Sequence, residues 1–137
     1  MISVNSISIS RGTNPVIKDF SAEFKAGTIT AIIGPNGCGK STLLAAIAGD
    51  LPLARGAISL GEKDLASYQI AELAKMRSVV LQQPAFNLAF TVKEVLAMAR
   101  SAGSTVSSES SAIAKLAIGD LADRKVTQLS VGERQRV

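Results

Sequence analysis

Apolar positions in the first third of the chain come at two periods. Ile7 and Ile9 alternate with serines, and beyond a turn over Gly12 to Pro15 the apolar positions Val16, Ile17 and Phe20 resume. This predicts paired strands with one buried face. After a second turn at Lys25-Ala26-Gly27, the segment Thr28 to Ile33 is rich in β-branched residues and nearly continuous in apolarity, which predicts a strand buried on both faces. From Lys40 the run Ser41 to Ala48 consists of strong helix formers and stops at Gly49, a predicted C-terminal cap. Farther on, Ala57 to Leu60 predicts a strand, Gln69 to Met76 a short helix, and Ser78 to Leu81 a further buried strand. Thr91 to Arg100 has helical spacing, with Val92, Val95, Leu96 and Ala99 on one face. The stretch Ser101 to Ser111 is mostly Ser, Ala and Gly, which predicts a loop or linker. Helical spacing returns at Ile113, Leu116 and Ala117, and no internal repeat is visible.

A length of 137 residues leaves room for one domain of ordinary size. With 47% hydrophobic and 19% charged residues the chain can bury a core, which argues against a disordered or fibrous protein. Its net charge of +4 suits phosphate-bearing ligands, whereas 4% aromatic residues and the lack of a basic cluster argue against a nucleic-acid face. One cysteine and no histidine exclude an internal disulfide and every zinc site built on His and Cys, and a cytosolic setting is expected. No run approaches the roughly twenty apolar residues of a membrane helix. Met1 to Ser10 also lacks the basic flank and apolar block of a signal peptide.

Candidate chemistry begins at Gly34-Pro35-Asn36-Gly37-Cys38-Gly39-Lys40-Ser41, which matches GxxxxGK followed by Ser or Thr and lies between a predicted strand and a predicted helix. Glycines permit positive φ, so successive N–H groups can face one concavity and hold an anion against a helix N-terminus. Phosphate is the anion that fits. Lys40 would lie near the β and γ phosphates, and Ser41 would ligate Mg²⁺. The candidate nucleotide contacts are Gly34, Pro35, Asn36, Gly37, Cys38, Gly39, Lys40, Ser41 and Thr42, with ATP and Mg²⁺ as the expected ligands.

A phosphate loop alone fits kinases, GTPases and many ATPases, so the downstream segments decide. Leu129-Ser130-Val131-Gly132-Glu133-Arg134-Gln135-Arg136-Val137 resembles the LSGGQ signature of ATP-binding cassette ATPases, commonly extended as LSGGERQRV, with Val131 in place of the first glycine. Val80-Leu81-Gln82-Gln83-Pro84 resembles the Q-loop of that family. The resemblance runs through the whole chain. It implies an α/β fold of the P-loop NTPase type, with a mixed sheet, an N-terminal antiparallel β part and a helical insert. Residues 1–85 would form the β and phosphate-loop core, and residues 86–137 the insert ending in the signature.

The resemblance also assigns roles. Lys40 and Gln82 are the expected catalytic residues, with Ser41 and Gln82 on Mg²⁺. Ser130 and the Gly132 amide would meet the γ-phosphate of ATP held by the opposite subunit of a head-to-tail homodimer. Glu133 would form with Ser130 an S-x-x-E capping box, itself a physical device for opening a helix and presenting an anion-receiving N-terminus. Val131 departs from the pattern: a β-branched residue leaves less room than glycine and disfavours positive φ. Arg11 stands where the family usually stacks an aromatic residue on adenine.

The family further requires an apolar strand ending in Asp-Glu, followed by a switch histidine, and neither occurs in the sequence. The chain is therefore expected to be the N-terminal portion of a longer ATPase, cut before that strand, binding nucleotide weakly without turning it over. Ala48 to Pro52, Glu72 to Arg77 and Phe90 to Arg100 look like segments of bacterial importers for haem, iron chelates and cobalamin, with haem nearest. The implied partners are a transmembrane permease and a periplasmic or lipoprotein substrate-binding protein, the ATPase lying peripherally on the cytoplasmic face of the membrane. Phe86, Leu88 and Phe90 would form an apolar surface for the permease, or else the core of the insert. Other readings are a soluble cassette ATPase not tied to transport, a phosphate-loop kinase, and a nucleotide-binding fragment without catalysis.

Overall fold

A computed structural model of the chain describes residues 1–80, 89–101 and 106–137. Gln82, Phe86 and Leu88 lie outside the described residues. The chain forms two compact units, Met1–Ile70 and Ala71–Val137.

In the first unit β1 (Ile2–Arg11) pairs antiparallel with β2 (Asn14–Phe24) and, on its other edge, with β3 (Arg55–Leu60), to which the short β4 (Lys63–Asp64) is added. The order is β2-β1-β3-β4. The predicted hairpin is present, with a turn tighter than expected: only Gly12 and Thr13 lie between the strands, and Pro15 already pairs with Ser10. Val4, Ile7, Ile9 and Ile58 are fully buried, each contributing about 1.5–3 kcal/mol by leaving water. Serines between the apolar positions do more than face solvent. The β1–β2 register shifts between Val4 and Ile9, and Ser6 and Asp19 take positive φ. Ser6 N–H donates to Ser21 Oγ at 2.8 Å, and Asp19 N–H donates to Ser8 Oγ at 3.1 Å.

Helix α1 (Lys40–Ala48) ends as predicted. Gly49 N–H donates to Ala46 O at 2.9 Å and Asp50 N–H to Ala45 O at 2.8 Å, the two bonds of a Schellman cap. Leu43, Ala46 and Ala48 bury the inner side of the helix.

Two predicted strands are corrected. Residues 28–33 form no strand, and Ile29 and Ile33 are exposed at 102% and 91%. Residues 78–80 are likewise irregular, with Val79 and Val80 exposed. A strand buried on both faces needs a neighbour on each edge and cover above and below. Among the described residues neither segment has a pairing strand, and local β-preference alone does not supply one.

The second unit carries α2 (Ile70–Met76) from its second residue, α3 (Val92–Ser101), α4 (Val106–Leu116) and α5 (Val131–Arg136). Val92, Ile118, Leu121, Val126 and Leu129 form its core, with Val95, Leu96, Ile113 and Val137 packed against it. Main-chain bonds lash the segment before α5 to the start of α3: Val126 N–H to Phe90 O at 2.8 Å, Val92 N–H to Arg124 O at 3.0 Å and Lys93 N–H to Ala122 O at 2.9 Å.

The predicted loop over 101–111 is also corrected where it is described: Ser101 belongs to α3 and residues 106–111 to α4, while residues 102–105 lie outside the described residues. Serine in a helix costs only about 0.5 kcal/mol against alanine, and a helix face turned to water needs no apolar residues.

Helix α4 closes with the same cap geometry as α1, through Ile118 N–H to Ile113 O at 3.2 Å and Ala117 N–H to Ala114 O at 3.3 Å. Here an alanine occupies the left-handed position, at φ 49. Ala117→Gly is expected to stabilise the protein by about 0.5–1 kcal/mol, the relief of left-handed strain outweighing the added chain entropy of glycine. A urea unfolding midpoint that fails to rise would contradict that strain.

Candidate functional site

The phosphate-loop segment is shaped by its contact with β2. Gly39 has φ +97, and a Cβ there would lie 3.1 Å from Val16 Cγ1 and 3.5 Å from Val16 O. Only glycine both adopts this conformation without strain and lets the loop lie this close to the strand. Gly37, at φ +83, is the loop's other left-handed residue.

Helix α1 then starts at Lys40 with no side-chain cap and no acidic residue in its first turn. Among the described residues no side-chain carboxylate or hydroxyl caps its first N–H groups, the arrangement that receives an anion. Lys40 Nζ donates to Gly34 O and Pro35 O, both at 2.8 Å, and lies 3.9 Å from Cys38 Sγ. The ammonium is thereby folded onto the loop's own carbonyls. An open cleft of about 220 Å³ continues from the loop, lined by Val16, Lys18 and Phe20 of β2 together with Cys38, Gly39 and Lys40.

These residues fit a polyphosphate: a cation, uncapped helix-terminal amides and, among the described residues lining the cleft, no carboxylate. Pro35, Asn36, Cys38 and Ser41 are exposed, while Thr42 is buried. Among the described residues no group of three or more His, Cys, Asp or Glu could hold a metal ion. A Mg²⁺ ion at Ser41 would draw its other oxygen ligands from phosphate and water, as this ion commonly does. Arg11 ends β1 beside the hairpin turn, exposed and paired with Asn14.

At the second segment the capping box forms. Ser130 Oγ accepts from Glu133 N–H at 3.2 Å, and Glu133 Oε2 accepts from Ser130 N–H at 2.8 Å. Glu133 Oε1 receives Arg124 at 3.1 Å. The side-chain and then the backbone bond to Ser130 hold the Glu133 carboxyl below its ordinary range, with Arg124 adding to the effect. Ser130, Val131 and Gly132 face solvent, above the buried Leu129 and Val126. Among the described residues nothing would lie within 4 Å of a Cβ at Gly132.

Val131 is the first residue of α5, exposed at 79%, and is not among the residues with positive φ. The backbone conflict anticipated for a valine in place of glycine therefore does not arise. Phe90 is partly buried and gives its carbonyl to Val126, while Gln82, Phe86 and Leu88 stand outside the described residues.

A second capping box escaped the sequence reading. Glu94 Oε2 accepts from Thr91 N–H at 2.7 Å and from Thr91 Oγ1 at 2.8 Å, and Thr91 Oγ1 accepts from Glu94 N–H at 3.3 Å. The backbone and side-chain bonds to Thr91 lower the Glu94 carboxyl. Thr91-x-x-Glu94 carries the same pattern as Ser130-x-x-Glu133 and was available to find it.

Comparison with known proteins places this geometry in a family. The family model described as "ABC transporter" matches residues 17–137. The Hemin import ATP-binding protein HmuV of Rhodococcus jostii is 40% identical, the alignment covering 96% of this chain and 47% of that protein. Its namesake from Shewanella denitrificans is 35% identical, over 100% of this chain and 56% of that protein. The chain spans about half the length of the curated relatives it matches.

Two solved structures share the fold. One, described as an ATP binding subunit of an ABC transporter, superposes with a TM-score of 0.88 at 23% identity, covering 99% of this chain and 58% of that one. The other, cbiO1 from Clostridium perfringens, part of the transporter complex cbiONQ, gives 0.78 at 24% identity, covering 98% and 57%. Among the described residues no helix is long and apolar enough to cross a membrane. The family match takes in both the phosphate loop and the capped turn at Ser130, and the chain accordingly belongs to the ABC transporter family.

Proposed function

We propose that the chain is the phosphate-loop and signature part of an ATP-binding subunit that couples ATP binding and hydrolysis to import of an iron complex, haem in particular, through a membrane permease. The nucleotide half of this reading rests on Lys40, folded at the open N-terminus of α1 where a triphosphate would replace the Gly34 and Pro35 carbonyls. The cargo half rests on likeness to the Hemin import ATP-binding proteins.

In this reading residues 1–85 grip the nucleotide and residues 86–137 present the signature. Lys40 neutralises the β and γ phosphates, the α1 amides bond their oxygens, and Arg11 stacks its guanidinium on the base. Ser41 and Gln82 would hold Mg²⁺, which when bound offsets phosphate charge. Ser130, Gly132 and Glu133 belong to the complementary half-site, so that each ATP lies between the phosphate loop of one subunit and the signature of its twin in a head-to-tail homodimer. By analogy with the family, Phe86, Leu88 and Phe90 would supply an apolar surface for the permease, a periplasmic or lipoprotein binding protein delivers the cargo, and the ATPase stays peripheral on the cytoplasmic face. Groups that polarise water for hydrolysis come from the part of the relatives that this chain does not match.

Subunit mixing tests the composite site. In the full-length protein Lys40→Ala and Ser130→Ala should each abolish ATP-driven association and turnover. A mixture of the two variants should regain up to half of the normal activity per mixed dimer. Its two sites differ: one collects both lesions and the other collects neither. A mixture as inactive as its components would contradict the shared site.

A further inference from the structure

We propose that Arg124 is a positioning residue for the signature turn. It fixes the second oxygen of Glu133 and offsets the carboxylate charge beside the site where phosphate would be received. The inference rests on the reading of Ser130 and Gly132 as a phosphate-receiving half-site.

The two oxygens of Glu133 have separate partners. Oε2 accepts the Ser130 N–H at 2.8 Å, whereas Oε1 meets Arg124 Nη1 at 3.1 Å. The other terminal nitrogen of Arg124, Nη2, donates to Gln128 O at 3.1 Å, two residues ahead of Ser130. One planar guanidinium therefore ties the first turn of α5 to the segment that leads into it, a fork geometry that lysine cannot reproduce.

The backbone of Arg124 is itself fixed. Its N–H donates to Leu121 O at 2.9 Å and its carbonyl accepts Val92 N–H at 3.0 Å, between the buried Leu121 and Val126. The guanidinium thus projects from a rigid base, although the pair is partly exposed, with side-chain accessibilities of 45% and 23%.

A carboxylate in the first turn of a helix is good for the helix and bad for an incoming anion, because both compete for the same positive end. Arg124 resolves that conflict: it leaves the cap intact while cancelling the charge that would repel phosphate. Without it, Glu133 would keep its cap to Ser130 and present an unbalanced negative charge. The effect of losing Arg124 therefore falls on the encounter with phosphate and leaves the fold nearly unchanged.

The test uses the full-length protein, with ATP-driven association, single-subunit nucleotide affinity and thermal midpoint read in parallel. Arg124→Met should raise the ATP concentration for half-association about fivefold, the scale of a partly exposed charge pair. Nucleotide affinity and midpoint should stay near the parent values, and Arg124→Lys should recover part of the loss. In a Glu133→Gln background the Arg124→Met effect should shrink towards none.

An equal shift in both backgrounds, or a fall in association that tracks nucleotide affinity and midpoint, would overturn the role. If Arg124→Met does not fold, the same comparison of backgrounds is made with Arg124→Lys. Ser130→Ala separates the two levels: if it leaves association intact, the half-site reading fails and this inference with it. If it weakens association while Arg124→Met does not, the role of Arg124 alone is lost.

Discussion

Lys40→Ala in the full-length protein is expected to lower ATP affinity about a hundredfold. One ion pair at about 4 Å is worth about 4 kcal/mol at an effective dielectric of about 20, before desolvation is subtracted. Against this stand the two carbonyl bonds that Lys40 gives up, to Gly34 and Pro35, each at 2.8 Å. A net loss of about 3 kcal/mol corresponds to roughly a hundredfold. The loss should be largest for tri- and diphosphates and nearly absent for AMP, since the side chain reaches the distal phosphates. Titration with ATP, ADP and AMP measures it, and an ATP affinity unchanged by the substitution would end the role given to Lys40. Stability should change little, because alanine is the better helix former at the start of α1.

What could be read from the chain divides by how local the physics is. Helix α1 with its Gly49 cap, the β1–β2 hairpin and the Ser130–Glu133 box each depend on residues within a few positions of one another, and all three are present as expected. The glycine-rich loop belongs with them only in part: the positive φ of Gly37 and Gly39 is what the motif leads one to expect, whereas the loop's close approach to β2 depends on Val16, far away in the chain. Residues 28–33 and 78–80 fail for the opposite reason: their β-branched side chains favour extension, but a strand exists only through pairing with distant chain.

The helix over Val106–Ser111 has no apolar periodicity to announce it, since the anchoring residue Ile113 lies beyond this stretch and packs on a core drawn from distant parts of the chain. At the candidate site, Val16 packs on Gly39 across more than twenty residues, and Arg124 reaches Glu133 without any helical or strand spacing to announce it. Both contacts follow from tertiary structure and leave no pattern in the sequence.

The phosphate loop's dependence on the sheet leads to the second large effect, at Gly56 in β3. A Cβ at this residue would strike the carbonyl oxygen of Asn5 and lie 2.5 Å from Ser6 O and 2.6 Å from Ser6 C, all backbone atoms that no rotamer change can move. The residue also has φ +83. It faces the place where the β1–β3 register shifts between Asn5 and Ser8, so β1 bulges into the space that glycine leaves. Gly56→Ala should therefore cost the left-handed strain of about 1–2 kcal/mol plus the cost of displacing a strand, about 3 kcal/mol or more together. Gly61→Ala is the matched control: φ is +67 but nothing lies within 4 Å of its Cβ, so only the conformational part should appear. Urea unfolding of both variants isolates the clash as the difference between them. Because β3 braces β1, β1 pairs with β2, and β2 presses Val16 against Gly39, the damage at Gly56 should reach the phosphate loop. ATP affinity and stability should then fall together, in contrast to Lys40→Ala, where affinity falls alone. A Gly56→Ala protein with the parent's unfolding midpoint would show that β1 and β3 do not approach this closely.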